Sequence, residues 1–169
     1  MEVKIIAIDG FDGTGKTSIC KKIESELGIK YIKPFEKTGE IIKWLHLRGD
    51  KKTASIVGKQ SMLLELSKHD DGIYVCDRNW LSMLVFTGVD IRVDDIKYLD
   101  FLTISEEGRI VDVLRKRGEK IDIDNIVQFV PMYSRVADDN QILKINTTNR
   151  TIDESFELIK ERIIEFIKK

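Results

Sequence analysis

A glycine-rich segment near the N-terminus narrows the possible folds of this chain more than any other part of the sequence. Residues 10–17 read Gly-Phe-Asp-Gly-Thr-Gly-Lys-Thr and directly follow an apolar run at residues 3–8. The segment matches G-x-x-x-x-G-K-[ST] at every fixed position. The run before it is typical of a buried strand, and a helical pattern follows it. The segment therefore predicts a loop whose backbone amides enclose a polyphosphate.

The residue types in this loop suit that chemistry. Glycines let backbone N–H groups close around phosphates without interference from Cβ atoms, and the helix N-terminus favours the same anion. Lys16 is expected to reach the β- and γ-phosphates of ATP, and Thr17 to coordinate Mg²⁺. The predicted ATP-binding residues are Gly10, Phe11, Asp12, Gly13, Thr14, Gly15, Lys16, Thr17 and Ser18.

Further apolar runs alternate with amphipathic stretches along the rest of the chain. The runs are residues 29–32, 73–76, 98–104 and 142–145. A capping box of Thr151 and Glu154 predicts the start of the last helix, and Gly28 predicts the end of the first. Strands that alternate with helices indicate a parallel sheet covered on both faces. We therefore expect one α/β domain over residues 1–169.

Charge and composition exclude several classes of partner. The 28 basic and 29 acidic residues leave a net charge of −1, which favours neither a nucleic acid polymer nor an anionic membrane as partner. No apolar run approaches the roughly 18 residues of a membrane span. Cys20 and Cys76 lack metal-ligand spacing and are interpreted as small apolar side chains. With no room for a signal peptide before the first run, a cytoplasmic location is expected.

A second informative site follows the third apolar run, where Asp77 and Arg78 are adjacent. Ligands bind at the carboxyl ends of strands in an open α/β sheet, so both side chains should face the glycine-rich loop. Asp77 can hold Mg²⁺ or its water, and Arg78 can bind phosphoryl oxygens through paired hydrogen bonds. The alternative is a purely structural Asp–Arg pair at a strand end.

The sequence lacks the N-K-x-D and D-x-x-G motifs that a GTPase would need. Residues 146–150, after the fifth run, read Asn-Thr-Thr-Asn-Arg and are expected to border the adenine instead. The chain is also too short for the insertions of motor or transport ATPases. Small-molecule kinases remain as the predicted class.

At both sites the sequence resembles the thymidylate kinase family. Residues 8–17 resemble that family's [DE]-G-x-D-G-x-G-K-[ST], and residues 77–88 are similar to D-R-Y-x-x-S-x-x-A-[YF]-x-G, with Asn79 at the aromatic position. Residues 35–41 resemble P-E-R-S-T-E-I, with Lys37 at the arginine. Residues 115–119 resemble the start of the family's lid.

The resemblance implies both an architecture and a reaction. The fold would be the three-layer α/β/α fold of the P-loop NTPases, with a five-stranded parallel sheet in the order 2-3-1-4-5 and a short lid at residues 115–125. ATP would bind the glycine-rich loop and a nucleoside monophosphate would bind opposite it, with dTMP as the first expectation. Members are commonly dimers, so a homodimer is possible.

The resemblance also implies roles for individual residues. Lys37 and Arg78 would hold the acceptor phosphate, while Thr17 and Asp77 would serve the Mg²⁺. Arg115 or Arg117 would act from the lid on the transferring phosphoryl group, although a solvated helix end would carry the same residues. The predicted catalytic residues are Lys16, Asp77, Arg78, Arg115 and Arg117.

The deoxynucleoside kinases are near relatives and a competing interpretation. Their acceptor is a neutral 5′-hydroxyl that needs a carboxylate base, which an E-P dipeptide supplies after the second strand. This chain has Lys33-Pro34 there, although Glu36 could serve in a shifted register. A third interpretation, from another class, is a nucleotide-binding module without catalytic activity.

The acceptor's base has several candidate contacts. Gln60 could pair with a base edge through its amide, or it could be an exposed helix residue. Four aromatic side chains could stack on the base or belong to the core: Phe35, Trp80, Phe86 and Tyr133. The predicted acceptor-binding residues are Phe35, Lys37, Gln60, Arg78 and Phe86.

Overall fold

The computed structural model describes residues 3–169 and contains one five-stranded parallel sheet. The strands lie in the order β2-β3-β1-β4-β5, which confirms the order implied by the family resemblance. They are β1 (Val3–Gly10), β2 (Lys30–Ile32), β3 (Gly72–Asp77), β4 (Ile96–Ile104) and β5 (Leu143–Asn146). Each predicted apolar run forms a strand within two residues of its expected ends.

Seven helices connect and cover these strands. They are α1 (Lys16–Leu27), α2 (Gly39–Leu47), α3 (Lys51–Leu66), α4 (Trp80–Thr87), α5 (Glu107–Lys116), α6 (Ile123–Asp139) and α7 (Ile152–Lys168). The predicted capping box of Thr151 and Glu154 does begin α7, and Gly28 ends α1 with a φ of 66°. Within residues 3–169, no helix is long and apolar enough to cross a membrane.

The two faces of β1 contribute to different parts of the core. Ile6 and Ile8 are fully buried with residues of α1 and α7, whereas Ile5 and Ala7 are fully buried on the opposite face, beside α3. Helices α4 and α6 pack on this second face against Leu102 of β4. Alternate side chains of a strand point to opposite faces, so β1 lies at the centre of a three-layer α/β/α fold.

The register aligns the carboxyl ends of the central strands at one edge of the sheet. Ile8 of β1 pairs with Asp77, the last residue of β3, and Gly10 pairs with Thr103 of β4. The glycine-rich loop leaves β1 at this edge and leads directly into α1. The two predicted sites therefore come from neighbouring strands and lie side by side.

Candidate functional site

The glycine-rich loop is tied closely to β4. A Cβ atom on Gly10, whose φ is 143°, would lie 2.5 Å from the carbonyl oxygen of Thr103, so a larger residue cannot fit there. The hydroxyl of Thr14 donates to the carbonyl oxygen of Phe11 over 2.7 Å and lies 2.7 Å from the hydroxyl of Thr103. These contacts fix the path of the loop between the end of β1 and the N-terminus of α1.

Lys16 points back into this loop. Its side chain is buried, and its Nζ donates to the carbonyl oxygen of Phe11 over 2.8 Å. The pKa of Lys16 is lowered to about 8, first by burial and second by the positive charge of Arg78, while Asp12 and Asp77 oppose both effects. The Nζ of Lys16 also lies 3.7 Å from Oδ1 of Asp12, and a bound polyphosphate would add further negative charge beside it.

Asp77 lies at the carboxyl end of β3, where it accepts two side-chain hydrogen bonds on one oxygen. The hydroxyl of Thr17 donates one, and the Oη of Tyr31 donates the other over 3.1 Å. Tyr31 was missed at the sequence level, because a tyrosine in a short edge strand carries no motif.

The oxygens of Thr17 and Asp77 suit Mg²⁺, which prefers hard oxygen ligands and usually binds through one or two protein groups together with substrate phosphates. In the described part of the chain, no group of three or more His, Cys, Asp or Glu side chains could hold a metal ion. Thr17 and Asp77 fit a metal that binds together with a nucleotide.

Arg78 extends from the same strand end in a left-handed backbone conformation, with a φ of 69°. Its Nη1 donates to the Oη of Tyr133 over 2.9 Å, and its Nη2 forms an ion pair with Oδ1 of Asp12 at 2.5 Å. Burial opposes the charge, but Tyr133, Asp12 and Asp77 together raise the pKa of Arg78 above its usual value. The side chain thus bridges the glycine-rich loop and α6.

The turn after Arg78 is held by Asp9, which stands at the end of β1 and is fully buried. Its Oδ1 accepts from the backbone N–H groups of Asn79 and Ser82, each over 3.0 Å, and from the Ser82 hydroxyl over 2.5 Å. Burial raises the pKa of Asp9, while these hydrogen bonds oppose that rise. Asp9 acts as a cap for α4, although it comes from another element.

The loop, the strand end and the chain after β2 enclose one open cleft of about 310 Å³. The predicted site residues Lys16, Thr17, Phe35, Asp77, Arg78 and Arg117 all line it. Lys33 and Glu36 line it as well, with 3.3 Å between Nζ and Oε1. Arg117 follows α5, is about half exposed and lies 3.7 Å from Glu119. The cleft therefore combines four cationic side chains with three carboxylates.

Several predicted site residues lie outside this cleft. Arg115 is exposed and contacts Asp112 on its own helix, so Arg117 rather than Arg115 reaches the cleft. Lys37 lines a second cavity, of about 790 Å³, between β2 and the end of α3. Gln60 is exposed on α3 and lines neither cavity, so its contact with a base stays a prediction.

Of the four aromatic residues predicted as contacts of the base, one lines the cleft and three lie in the core. Phe35 is half-buried in the cleft wall. Phe86 instead packs in the core, edge-on against Tyr133 and tilted against Phe129, with 5.0 Å between the centroids of the two phenylalanine rings. Trp80 and Tyr133 are each 1% exposed, so neither ring is available to a base. Their polar atoms have partners instead: Trp80 Nε1 donates to Asp100, and Tyr133 Oη contacts Arg78.

The loop after β5 touches the glycine-rich loop. The hydroxyl of Thr147 donates to the carbonyl oxygen of Thr14 over 3.0 Å and to that of Ile104 over 3.1 Å. Residues 146–150 therefore lie beside the predicted phosphate cradle, where a contact with the adenine is feasible. Ser18, the last predicted ATP-binding residue, is half-buried in the first turn of α1.

The sequence matches no model of a known protein family, and it matches no curated protein. Solved structures do match. The deoxyadenosine kinase from M. mycoides with bound dATP is similar over 95% of this chain and 98% of that chain, with a TM-score of 0.70 and 16% identity. The same kinase with the products dCMP and dCDP gives a TM-score of 0.67 and 17% identity, over 95% and 99% of the two chains.

These likenesses show that the chain has the fold of the P-loop kinases. At 16% and 17% identity they carry over the fold alone. They are also likenesses to deoxyadenosine kinases, which belong to the near relatives of the expected family, and nothing in them singles out thymidylate kinases.

Proposed function

We propose that this protein transfers a phosphoryl group from ATP·Mg²⁺ to a nucleoside monophosphate bound in the cleft, with dTMP as the first acceptor to test. One observation carries the proposal: the loop residues Lys16 and Thr17 share a single cleft with Asp77 and Arg78. Phosphoryl transfer needs positioning and positive charge more than covalent chemistry, and this arrangement supplies both.

The two sides of the cleft have different proposed roles, one for ATP and one for the acceptor. Lys16 and the backbone amides of the loop bind the ATP phosphates, and Thr17 with Asp77 would hold the Mg²⁺ that neutralises them. A metal held there would supply positive charge next to the phosphates. Arg117 is the cation that faces the transferring group, while Arg78 and Lys33 receive the acceptor.

The charges of the cleft favour an anionic acceptor. Two of its three carboxylates already have cationic partners, Asp12 with Arg78 and Glu36 with Lys33. The third, Asp77, accepts from two hydroxyls. A monophosphate brings its own anionic oxygen as nucleophile, so it needs the cations of this cleft and no further base.

Phosphorylation of a free deoxynucleoside is the second candidate. It is favoured by the likeness to deoxyadenosine kinases over 95% of the chain and by Glu36, whose side chain is largely exposed at the cleft. A neutral 5′-hydroxyl would need that carboxylate as a base, with Lys33 displaced from it.

The deciding experiment measures ADP release from ATP·Mg²⁺ with deoxynucleoside monophosphates, ribonucleoside monophosphates and free nucleosides. Turnover led by dTMP or another monophosphate supports the first candidate. Turnover with free nucleosides alone supports the second. ATP binding without turnover on any acceptor would mean that the protein is a nucleotide-binding module.

Two variants make the comparison sharper. Lys33→Ala should raise the KM of a monophosphate acceptor, because it removes a cation from the cleft. Lys37→Ala is the matched control: Lys33 lines both cavities, whereas Lys37 lines only the larger one and should have little effect. Glu36→Gln should abolish turnover of a free nucleoside but spare turnover of a monophosphate. A KM raised by Lys37→Ala and not by Lys33→Ala would contradict this arrangement.

A further inference from the structure

A continuous chain of hydrogen bonds runs from the cleft into the core. Arg78 Nη1 donates to Tyr133 Oη over 2.9 Å, and Tyr133 Oη donates to Ser82 Oγ over 2.9 Å. Ser82 Oγ in turn donates to Asp9 Oδ1 over 2.5 Å. Only the guanidinium of Arg78 reaches the cleft, and the three residues behind it are each at least 98% buried.

The chain joins elements that cannot easily move apart. Asp9 belongs to the central strand β1, Ser82 to α4 and Tyr133 to α6, and α4 and α6 pack together in the core. Asp9 Oδ1 also accepts from two backbone N–H groups of the turn that carries Arg78 into α4. The Tyr133 hydroxyl, held by these elements, therefore offers a fixed hydrogen-bond acceptor to the long, flexible side chain of Arg78.

The direction of the hydrogen bonds follows from chemistry. Burial raises the pKa of Tyr133 to about 12, so the phenol stays protonated and donates its single proton to Ser82. Its oxygen is then free to accept from Arg78. The guanidinium has five donors, and the bond to Tyr133 leaves most of them for other acceptors.

We propose that Tyr133 is a positioning residue for Arg78: through Ser82 and Asp9 it holds the guanidinium in the orientation that receives the acceptor's phosphate. The proposal rests on the phosphotransfer proposed above. Tyr133 does not itself touch the acceptor, because its ring is buried behind Arg78.

The first test is Tyr133→Phe, which removes one oxygen and keeps the ring. Because hydrogen bonds to charged groups are stronger than those between neutral groups, the KM of the acceptor should rise about tenfold or more. The KM of ATP should stay within about twofold, since Lys16 and the loop are untouched. Equal changes in both KM values, or no change in that of the acceptor, would overturn the proposal.

Tyr98→Phe is the matched control. Like Tyr133→Phe, it removes a single tyrosine hydroxyl. The Tyr98 hydroxyl is partly buried, accepts from the backbone N–H of Val93 over 3.2 Å and has no contact with Arg78. Any loss of stability common to both variants should appear in their melting temperatures, whereas only Tyr133→Phe should change the acceptor KM. A change of equal size in Tyr98→Phe would mean that the effect is general.

A double-mutant cycle tests the relay beyond Tyr133. Ser82→Ala alone should raise the acceptor KM, because it removes the group that orients the phenol. Adding Tyr133→Phe to Ser82→Ala should raise the acceptor KM little further, since both changes interrupt the same series of hydrogen bonds. Full additivity of the two effects would show that Ser82 and Tyr133 act independently and would refute the relay.

A readout that needs no turnover separates this proposal from the proposed function. In ¹⁵N-labelled protein, the side-chain N–H signals of Arg78, assigned by their loss in Arg78→Lys, should shift and exchange faster in Tyr133→Phe than in Tyr98→Phe. Unchanged signals would overturn the positioning role even in an active enzyme. A changed signal in a protein without activity would uphold it and reject the phosphotransfer.

Discussion

The Oη of Tyr31 lies 3.1 Å from Oδ2 of Asp77, and this hydrogen bond connects the edge strand β2 to the carboxyl end of β3. The same carboxylate oxygen accepts from the hydroxyl of Thr17 at the start of α1. Tyr31 and Thr17 therefore hold Asp77 from two sides, as Tyr133 and Asp12 hold Arg78. Both residues of the strand-end pair are oriented before any ligand arrives, which reduces the ordering that catalysis would need.

Removing the Tyr31 hydroxyl should weaken the metal side of the cleft. In Tyr31→Phe, Asp77 loses one of its two hydroxyl donors, and its carboxylate can rotate away from Thr17. We expect kcat to fall about tenfold and the Mg²⁺ concentration for half-maximal activity to rise, because a bond to a charged group is worth about 1.5–3 kcal/mol. Steady-state kinetics over a Mg²⁺ titration provide the measurement.

The variants at Tyr98 and Tyr133 serve as controls for Tyr31→Phe. Tyr98→Phe should leave the Mg²⁺ titration unchanged, and Tyr133→Phe should change the acceptor KM instead. An unaltered Mg²⁺ dependence in Tyr31→Phe, with normal folding, would argue against a role for Asp77 at the metal.

The sequence predicted the parts of the site that lie close together along the chain. Lys16 and Thr17 belong to one loop, and Asp77 with Arg78 ends one strand, so local patterns and the rule for strand ends were sufficient. The strand order came from the family resemblance, since the alternation of strands and helices does not determine it.

The sequence could not identify contacts that depend on the path of the chain between distant elements. Tyr31 reaches Asp77 across 46 positions, and Tyr133 reaches Arg78 across 55. Gln60 and Lys37 lie outside the cleft that contains Lys16 and Arg78, and their positions depend on the paths of α3 and of the loop after β2. Motif spacing carries no information on that geometry.

The two arginines of the predicted lid should differ sharply. Arg117 lines the cleft, whereas Arg115 is exposed and contacts Asp112 on its own helix. If Arg117 stabilises the transferring phosphoryl group, Arg117→Ala should lower kcat about 100-fold, the usual cost of removing a donor from a developing charge. Arg115→Ala, the matched control, should stay within about twofold of wild type. Equal losses in the two variants would contradict a specific role for Arg117.

Binding of ATP should be coupled to proton uptake by Lys16. The protein surroundings lower the pKa of Lys16 to about 8, and the phosphate charges of bound ATP should raise it again. A raised pKa in the bound state means that affinity is highest below pH 8 and falls as the pH rises above it. Uptake should be about 0.9 proton at pH 9 and about 0.1 at pH 7.

Calorimetry with a non-hydrolysable ATP analogue, in buffers of different ionisation enthalpy, measures that uptake directly. In Lys16→Met the uptake should vanish along with most of the affinity. A proton uptake that is the same at pH 7 and pH 9 would show that Lys16 keeps its charge in the empty protein.

Asp100 should make the protein less stable as the pH rises. Its carboxylate accepts from Trp80 Nε1 over 2.9 Å, and Arg92 lies over the ring of that tryptophan at 4.3 Å. The pKa of Asp100 is raised to about 7, chiefly by burial and also by the charges of Asp9 and Asp90, while Trp80 and Arg92 oppose the rise.

Because the folded pKa lies above the unfolded value of 3.8, only the folded protein keeps the proton between these two values. The free energy of unfolding therefore falls as the pH rises from about 4 to about 7, and then levels off. Asp100→Asn cannot ionise, yet its amide oxygen can still accept from Trp80. The rise of the pKa from 3.8 to about 7 corresponds to about 4 kcal/mol, so we expect the stability of this variant relative to wild type to increase by up to about 4 kcal/mol between pH 4 and pH 8.

Urea unfolding at pH 5 and pH 8 measures the effect, with Asp94→Asn as the control because that side chain lies exposed in the loop before β4. If Asp100→Asn is instead less stable than wild type at pH 8, the ionised carboxylate is held by Arg92 and Trp80 more strongly than burial opposes it. The charge of Asp100 would then be a stabilising part of the α4 packing rather than a cost.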